Sequence, residues 1–244
     1  MVDRLFANYR LAALYDLFYP HRADFQFYLP LIMSSASVLD VGCGTGALLR
    51  EARQSGHAGR LCGLDPAEGM LAQARKRSDI EWVLGEMTSV RWQQEFDLVV
   101  MTGHAFQVLI DDGDIKALLD ATHTALTGAG RFVFETRNPS FQAWKNWTPA
   151  NTIEAIDETG AIVRMANQVD LPEDGGIVSF TTTYTSPSWD RPERSRSTLR
   201  FMDADSLATR LTAAGFLIEQ QFGNWDRSPL TDSSPEIITV AGRR

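Results

Sequence analysis

The feature that most constrains this chain is a short β-branched run that breaks directly into glycines. Ser37-Val-Leu-Asp-Val41 reads as a strand, Gly42-Cys-Gly-Thr-Gly46 follows without a spacer, and Ala47 to Gln54 reads as a helix closed by Ser55-Gly56. A strand that turns through glycines into a helix bares backbone N–H groups at the turn, and it opens a βαβ unit. The alternation continues with a strand over Leu61–Leu64, a helix over Glu68–Lys76 and a strand over Ile80–Leu84. Phe96-Asp-Leu-Val-Val-Met101 is nearly all apolar, as in a strand buried on both faces. A helix over Asp114–Leu126 leads through Gly128-Ala-Gly130 into the strand Arg131–Glu135. Strands alternating with helices predict an α/β fold with a doubly wound, mostly parallel sheet, seven-stranded once the last two strands, Phe216–Phe222 and Glu236–Val240, are added.

From Asn138 the rhythm changes. Trp144 and Trp147 sit in a short helical patch, then four strand-like runs follow at Thr152–Ile156, Ile162–Val169, Ile177–Thr185 and Thr198–Met202. Turn residues at Thr159-Gly160, Asp174-Gly-Gly176 and Pro187-Ser188 separate them, which predicts a small antiparallel β insertion after the fifth strand. The expected organisation is an α/β core over 1–137 and 203–244 and an antiparallel lid over 138–202. Within the core, 1–34 is a helical cover. Its apolar positions Val2, Leu5, Phe6, Tyr9, Ala13 and Leu17 predict one helix ended by Pro20, before a second over Asp24–Met33. A net charge of −8 repels a phosphate backbone and argues against nucleic-acid binding. Two cysteines without Cys/His pairing disfavour a disulfide framework and a metal site. With no apolar run of membrane-spanning length, the expectation is a soluble, cytoplasmic monomer or homodimer.

Gly42-Cys-Gly-Thr-Gly-Ala47 satisfies the dinucleotide pattern G-x-G-x-x-G/A, but three features turn it away from a nicotinamide cofactor. Asp40 lies two residues before the first glycine, where it would repel a pyrophosphate and welcome a cationic amine. Gly46 adds a third glycine that lets backbone approach a bulky ligand. Gly63-Leu-Asp65 ends the second strand with an acid able to take ribose hydroxyls, or else to cap the helix beginning near Ala67.

Val38-Leu-Asp-Val-Gly-Cys-Gly-Thr-Gly46, with Gly63-Leu-Asp-Pro66 and Met70-Leu71 downstream, resembles the class I S-adenosylmethionine (SAM) dependent methyltransferases (EC 2.1.1.-) of the small-molecule type. The resemblance covers the first half of the chain and the last strands and implies a Rossmann-like sheet. It also implies that Asp40, Gly42, Cys43, Gly44 and Gly46 underlie the methionine part of SAM; with no base paired to it, Cys43 reads as a small packing residue rather than a nucleophile. Asp65 and Pro66 would meet the ribose, Met70 the adenine face, and Glu86 and Met87 the adenine edge. Met101, Thr102 and Gly103 would meet the methionine amine, with Tyr15 of the cover above the cofactor. Glu86 departs from the family, which usually has Asp there; the longer acid shifts the contact toward the Met87 backbone. Met70 has an alternative reading as plain core.

Ligands of open α/β sheets sit beyond the carboxyl ends of the strands. That rule selects Thr102-Gly-His-Ala-Phe-Gln107, Glu135-Thr-Arg-Asn138 and Gly223-Asn-Trp-Asp-Arg227. Tyr9, Tyr19, Phe106, Arg137, Asn138, Trp144 and Trp225 are the candidate acceptor-binding residues, the tryptophans either lining a pocket for an amine cation or packing the insertion. His104 is the candidate general base, because an ordinary histidine titrates near neutrality; its alternative role is satisfying backbone at a helix start. Arg194, Arg196 and Arg200 share one face of a strand, as an oxyanion site or a solvated surface, and His21 is expected at the surface. The expected function is methyl transfer from SAM to an N or O atom of a small molecule, leaving S-adenosylhomocysteine (SAH). Other SAM chemistry on the same fold and a non-catalytic SAM-binding regulator are the alternatives.

Overall fold

The computed structural model describes residues 2–20, 22–170 and 175–244; His21 and Asp174 of the expected Asp174-Gly-Gly176 turn lie outside the described residues. Five strands come first: β1 Ser37–Val41, β2 Arg60–Asp65, β3 Glu81–Leu84, β4 Phe96–Met101 and β5 Leu126–Arg137. Four more, β6 Ile153–Ile156, β7 Ile162–Val169, β8 Ile177–Thr185 and β9 Glu193–Arg200, make a separate antiparallel sheet in that order. β10 Phe216–Phe222 and β11 Glu236–Arg243 then complete a seven-stranded sheet ordered β10-β11-β5-β4-β1-β2-β3. Only β11 among these runs antiparallel to its neighbours. The chain reverses direction of winding between β1 and β4, so their carboxyl ends open the crevice where such sheets bind ligands.

The nearly continuous apolar runs are explained by two buried faces. Leu39, Val99 and Phe132 join a core with Leu118 and Leu119 of α6 (Asp112–Ala125) and Leu207 and Leu211 of α7 (Ala204–Ala213). Their strand neighbours Val38, Leu98 and Val133 pack on the other side, against α3 (Phe25–Met33) and α4 (Ala47–Gln54). Successive side chains of a strand point to opposite faces, so a sheet covered by helices on both sides shows no polar alternation.

Two expectations are corrected. The amino-terminal pattern forms two helices, α1 Arg4–Ala7 and α2 Tyr9–Phe18, because Asn8 accepts from the N–H groups of Arg10 and Leu11 and starts a new helix. The last strand of the insertion is Glu193–Arg200 and not Thr198–Met202. Its inward positions include Ser195 and Ser197, both buried, so the apolar alternation that marks a strand is missing there.

Leu5, Leu11, Leu14 and Phe18 of α1 and α2 pack against Val163, Met165 and Tyr184 of the four-stranded sheet. On its other side the same segment meets α5 (Glu68–Ala74), where a Cβ on Gly69 would lie 2.6 Å from the Phe6 carbonyl oxygen. The amino-terminal helices thus form a wedge between the two sheets. Among the described residues, no helix is long and apolar enough to cross a membrane.

Candidate active site

The glycine loop connects β1 to α4 with three left-handed residues, Gly42, Gly44 and Gly46, at φ +73°, +56° and +75°. They serve different ends. A Cβ on Gly46 would sit 2.3 Å from the Trp82 ring, and one on Gly42 would sit 2.9 Å from the Ala105 Cβ, so these two glycines permit internal packing. A Cβ on Gly44 would meet nothing within 4 Å, so Gly44 is where backbone lies open to a ligand. The expectation that Gly46 makes room for the ligand is corrected: it makes room for Trp82. Cys43 packs with Leu71, Ala74 and Trp82, and burial pushes its thiol well above the usual range.

Asp65 ends β2 and holds this loop. Its Oδ2 accepts from the Gly44 N–H and its Oδ1 from the Ala67 N–H, each at 2.8 Å. The carboxylate therefore ties the loop to the start of α5, and burial raises its pKa. Each oxygen keeps a second lone pair, so this structural role leaves room for ribose hydroxyls.

Asp40 is 1% exposed, and its Oδ1 has no hydrogen-bond partner among the described residues. Burial, reinforced by the charges of Asp65 and Glu135 and opposed by Arg22, pushes its pKa up to about 8. A buried, unpartnered carboxyl oxygen costs about 1–3 kcal/mol and calls for a cation or donor that the described residues do not supply. The methionine ammonium of SAM is such a group, and Asp40 and the open Gly44 fit it.

Around Asp40 stands a polar cluster that sequence reasoning largely missed. Arg22 chelates Asp24, with Nε to Oδ1 at 3.0 Å and Nη2 to Oδ2 at 2.6 Å, and its guanidinium lies 4.5 Å over Phe25. Glu135 is fully buried at the end of β5 and accepts from the Tyr28 hydroxyl and, at 2.8 Å, from the His104 N–H. His104 adopts a left-handed backbone at φ +61°, and its Nε2 is 2.8 Å from Glu236 Oε2. Burial, together with the charge of Arg137, pushes the imidazole down to about 3. Burial raises Glu236 to about 8, against the pull of Arg137. Arg22 and Glu236 lie outside the glycine motif and at no periodic position, in the polar stretches Pro20–Asp24 and Ser233–Glu236, so no local pattern marks either. The candidacy of His104 as a free general base is corrected accordingly: its Nε2 is taken by Glu236 and its basicity is suppressed.

Arg137, at the end of β5, donates from Nη1 to Gln107 Oε1 at 3.1 Å and lies 5.2 Å from the Trp147 ring centroid. Tyr15 and Tyr19 stand on one side of α2 and its end with ring centroids 4.8 Å apart, and Tyr15 packs with Met70 and Ala12. Thr102 is buried at the end of β4 and Gly103 is left-handed at φ +66°. Glu86 is exposed just beyond β3, and Pro66 is exposed beside Asp65.

Several expected site residues have their side chains packed into the scaffold, which leaves backbone groups such as those of Met87 as the part able to meet a ligand. Phe106 stacks on Phe134 at 4.5 Å in the core, and Met87 and Met101 are buried in the same cluster. Asn138 caps its own turn, accepting from the Ser140 N–H and donating to the Thr231 carbonyl, so its amide is held in place by the scaffold. Trp144 packs on Phe201 at 4.6 Å, and Trp225 packs on Phe27 and Tyr28. Tyr9 is 57% exposed at the outer start of α2. Arg196 and Arg200 pair with Asp170 and Asp112, and Arg194 is exposed beside them, so two of the three arginines of the row are held by acids of the chain.

Residues 38–130 match the family described as Methyltransferase domain. A 2-phytyl-1,4-naphtoquinone methyltransferase from Thermosynechococcus vestitus is 33% identical over 115 residues, which are 40% of this chain and 51% of that protein. The chain spans about half the length of the curated relatives it matches. Among solved structures, an S-adenosylmethionine-dependent methyltransferase from Clostridium acetobutylicum superposes with a TM-score of 0.74 at 18% identity, covering 96% of this chain and 98% of that one. The SAM-bound amino pentose methyltransferase of calicheamicin biosynthesis from Micromonospora echinaspora superposes at 0.66 and 22% identity, covering 91% and 88%. The glycine loop and the acid ending β2 thus fall inside the stretch that matches a methyltransferase domain, and the sheet they belong to has the fold of solved S-adenosylmethionine-dependent methyltransferases.

Proposed function

We propose that this protein transfers the methyl group of SAM to an N or O atom of a small molecule. The observation that carries the reading is the buried carboxyl oxygen of Asp40, without a partner among the described residues, four residues before the one glycine of the loop that is open to ligand. The matched methyltransferase domain supports it, as does the likeness to an amino pentose methyltransferase.

SAM supplies a methyl group on a sulfonium that leaves as a neutral thioether. The residues of the chain have the remaining tasks. Asp40 and the backbone around Gly44 hold the amino-acid end, Asp65 the ribose, and Met70 and Tyr15 the apolar surface. Methyl transfer then requires the acceptor atom to be held within about 3–3.5 Å of the methyl with water excluded. The wedge of α1 and α2 and the four-stranded sheet cover the strand ends for that purpose, with residues 138–202 acting as a lid. The His104–Glu236 pair is electrically neutral as a unit whether its shared proton sits on nitrogen or oxygen, so it acts as a fixed polar wall. Positioning, which alone supplies about 7–11 kcal/mol in well-oriented reactions, is then the main source of rate.

The test is a thermal-shift comparison followed by transfer of labelled methyl from SAM to a panel of small amines and hydroxyl compounds. SAH should raise the melting temperature and NAD should not, and label should pass to at least one acceptor class. Stabilisation by NAD alone would contradict the reading.

A further inference from the structure

We infer that the acceptor carries an oxyanion, a carboxylate or a phosphate ester, and that Arg137 receives it beside Trp147 and the tyrosines of the amino-terminal cover. The inference rests on the methyltransferase reading, since it describes the second substrate of the same site. Arg137 sits at the carboxyl end of β5, between the end of β4 and the start of β11, where it lies opposite Glu236. Among the described residues no carboxylate lies within 4.0 Å of its guanidinium, unlike Arg22, Arg60 and Arg200, which each have one.

Its neighbouring acids are otherwise engaged. Asp24 is chelated by Arg22, Glu135 accepts from Tyr28 and His104, and Glu236 meets the His104 ring. Among the described residues the side-chain hydrogen-bond partner of Arg137 is the neutral Gln107, whose Oε1 also accepts from the Arg137 backbone N–H at 3.2 Å. Gln107 is itself oriented, because its Nε2 donates to the Arg200 carbonyl at 3.1 Å. The Nε and Nη2 groups of Arg137 make no hydrogen bond to the described residues, yet neither is among the buried atoms lacking a partner, so both border accessible space.

A guanidinium stays charged in a protein, and burial without a counter-charge is costly. The lowered pKa of Arg137 has burial as its leading cause. Trp147 below the guanidinium plane holds its orientation and leaves the fork of donors free at its edge. A planar fork of that kind matches carboxylate or phosphate oxygens in bidentate fashion, which a neutral amide or alcohol cannot reproduce. Arg137 is thereby the specificity-determining residue for the acceptor, while the methyl-accepting atom lies elsewhere on the same molecule.

The experiment uses the full chain saturated with SAH and titrated with benzoate, phenyl phosphate, benzamide and benzyl alcohol, followed by tryptophan fluorescence. The anionic probes should bind at least about tenfold more tightly than their neutral isosteres, and the tighter of the two anions identifies the group. Arg137→Gln should erase that preference and Arg137→Lys should keep part of it, with SAH affinity unchanged in both as the check of folding. Equal binding of neutral and anionic probes, or an undiminished preference in Arg137→Gln, would overturn the inference. Failure of the wild-type protein to bind SAH would overturn the methyltransferase reading instead.

Discussion

Single residues divide into those whose role the sequence announces and those that need the third dimension. The bond from the Ala67 N–H to Asp65 is legible because an acid just before a helix start takes its first N–H groups; that Asp65 also clasps the Gly44 N–H is not, because the partner is a backbone group 21 residues away. The glycines make a sharper case, since three identical residues have different reasons to be there. Gly46→Ala should cost at least about 2 kcal/mol of stability, because it combines a left-handed backbone with overlap on the Trp82 ring. Gly44→Ala carries only the backbone penalty, about 1 kcal/mol, but it should weaken SAH binding far more than Gly46→Ala does per unit of stability lost. Denaturant titration with and without SAH separates the two. His104 supplies a kinetic prediction. With its imidazole held down to about 3, kcat at saturating SAM and acceptor should be flat from pH 5.5 to 7.5. A fall in kcat below pH 6.5 would restore His104 as a freely titrating base.

At the scale of elements, the parallel core was readable because two buried faces leave long apolar runs bounded by glycine. The insertion was readable as antiparallel from its turns, but the position of β9 was not, since Ser195 and Ser197 point inward where hydrophobic residues were expected. One of them has a visible purpose: Ser195 Oγ accepts from the Leu5 N–H at 2.9 Å and fastens α1 to β9. The wedge is fastened on its other side by Asp16 of α2, whose carboxylate accepts from Thr45 Oγ1 at 2.7 Å and from Arg50 at 3.0 Å. That contact joins the cover to the glycine loop, so ordering of the loop by ligand should be felt by the helix. Amide exchange across Tyr9–Phe18 should slow when SAH binds, and Asp16→Ala should accelerate it and weaken SAH binding severalfold. Identical exchange with and without SAH would make α2 a fixed wall of the site.

For the whole molecule, the buried titratable cluster makes stability depend on pH in a direction that follows from its members. Asp40 and Glu236 are raised to about 8, so the native state binds protons that the unfolded chain has released, and stability is lost as pH rises from about 4.5 to 8. His104 is depressed to about 3, so its contribution is present above pH 6.5 and lost as pH falls toward 3. The ligand-free protein should therefore melt at a lower temperature at pH 8 than at pH 6.5, and Asp40→Asn should reduce the difference. The central claim is that Asp40 awaits the cationic amino-acid end of SAM. Calorimetric titration of SAH at pH 7, in buffers of different ionisation enthalpy, tests it most directly. The account predicts binding that releases close to one proton and an affinity that rises about tenfold from pH 6 to 7, both lost in Asp40→Asn. Binding with no proton release and no pH dependence in the wild-type protein, or no binding at all, would contradict it.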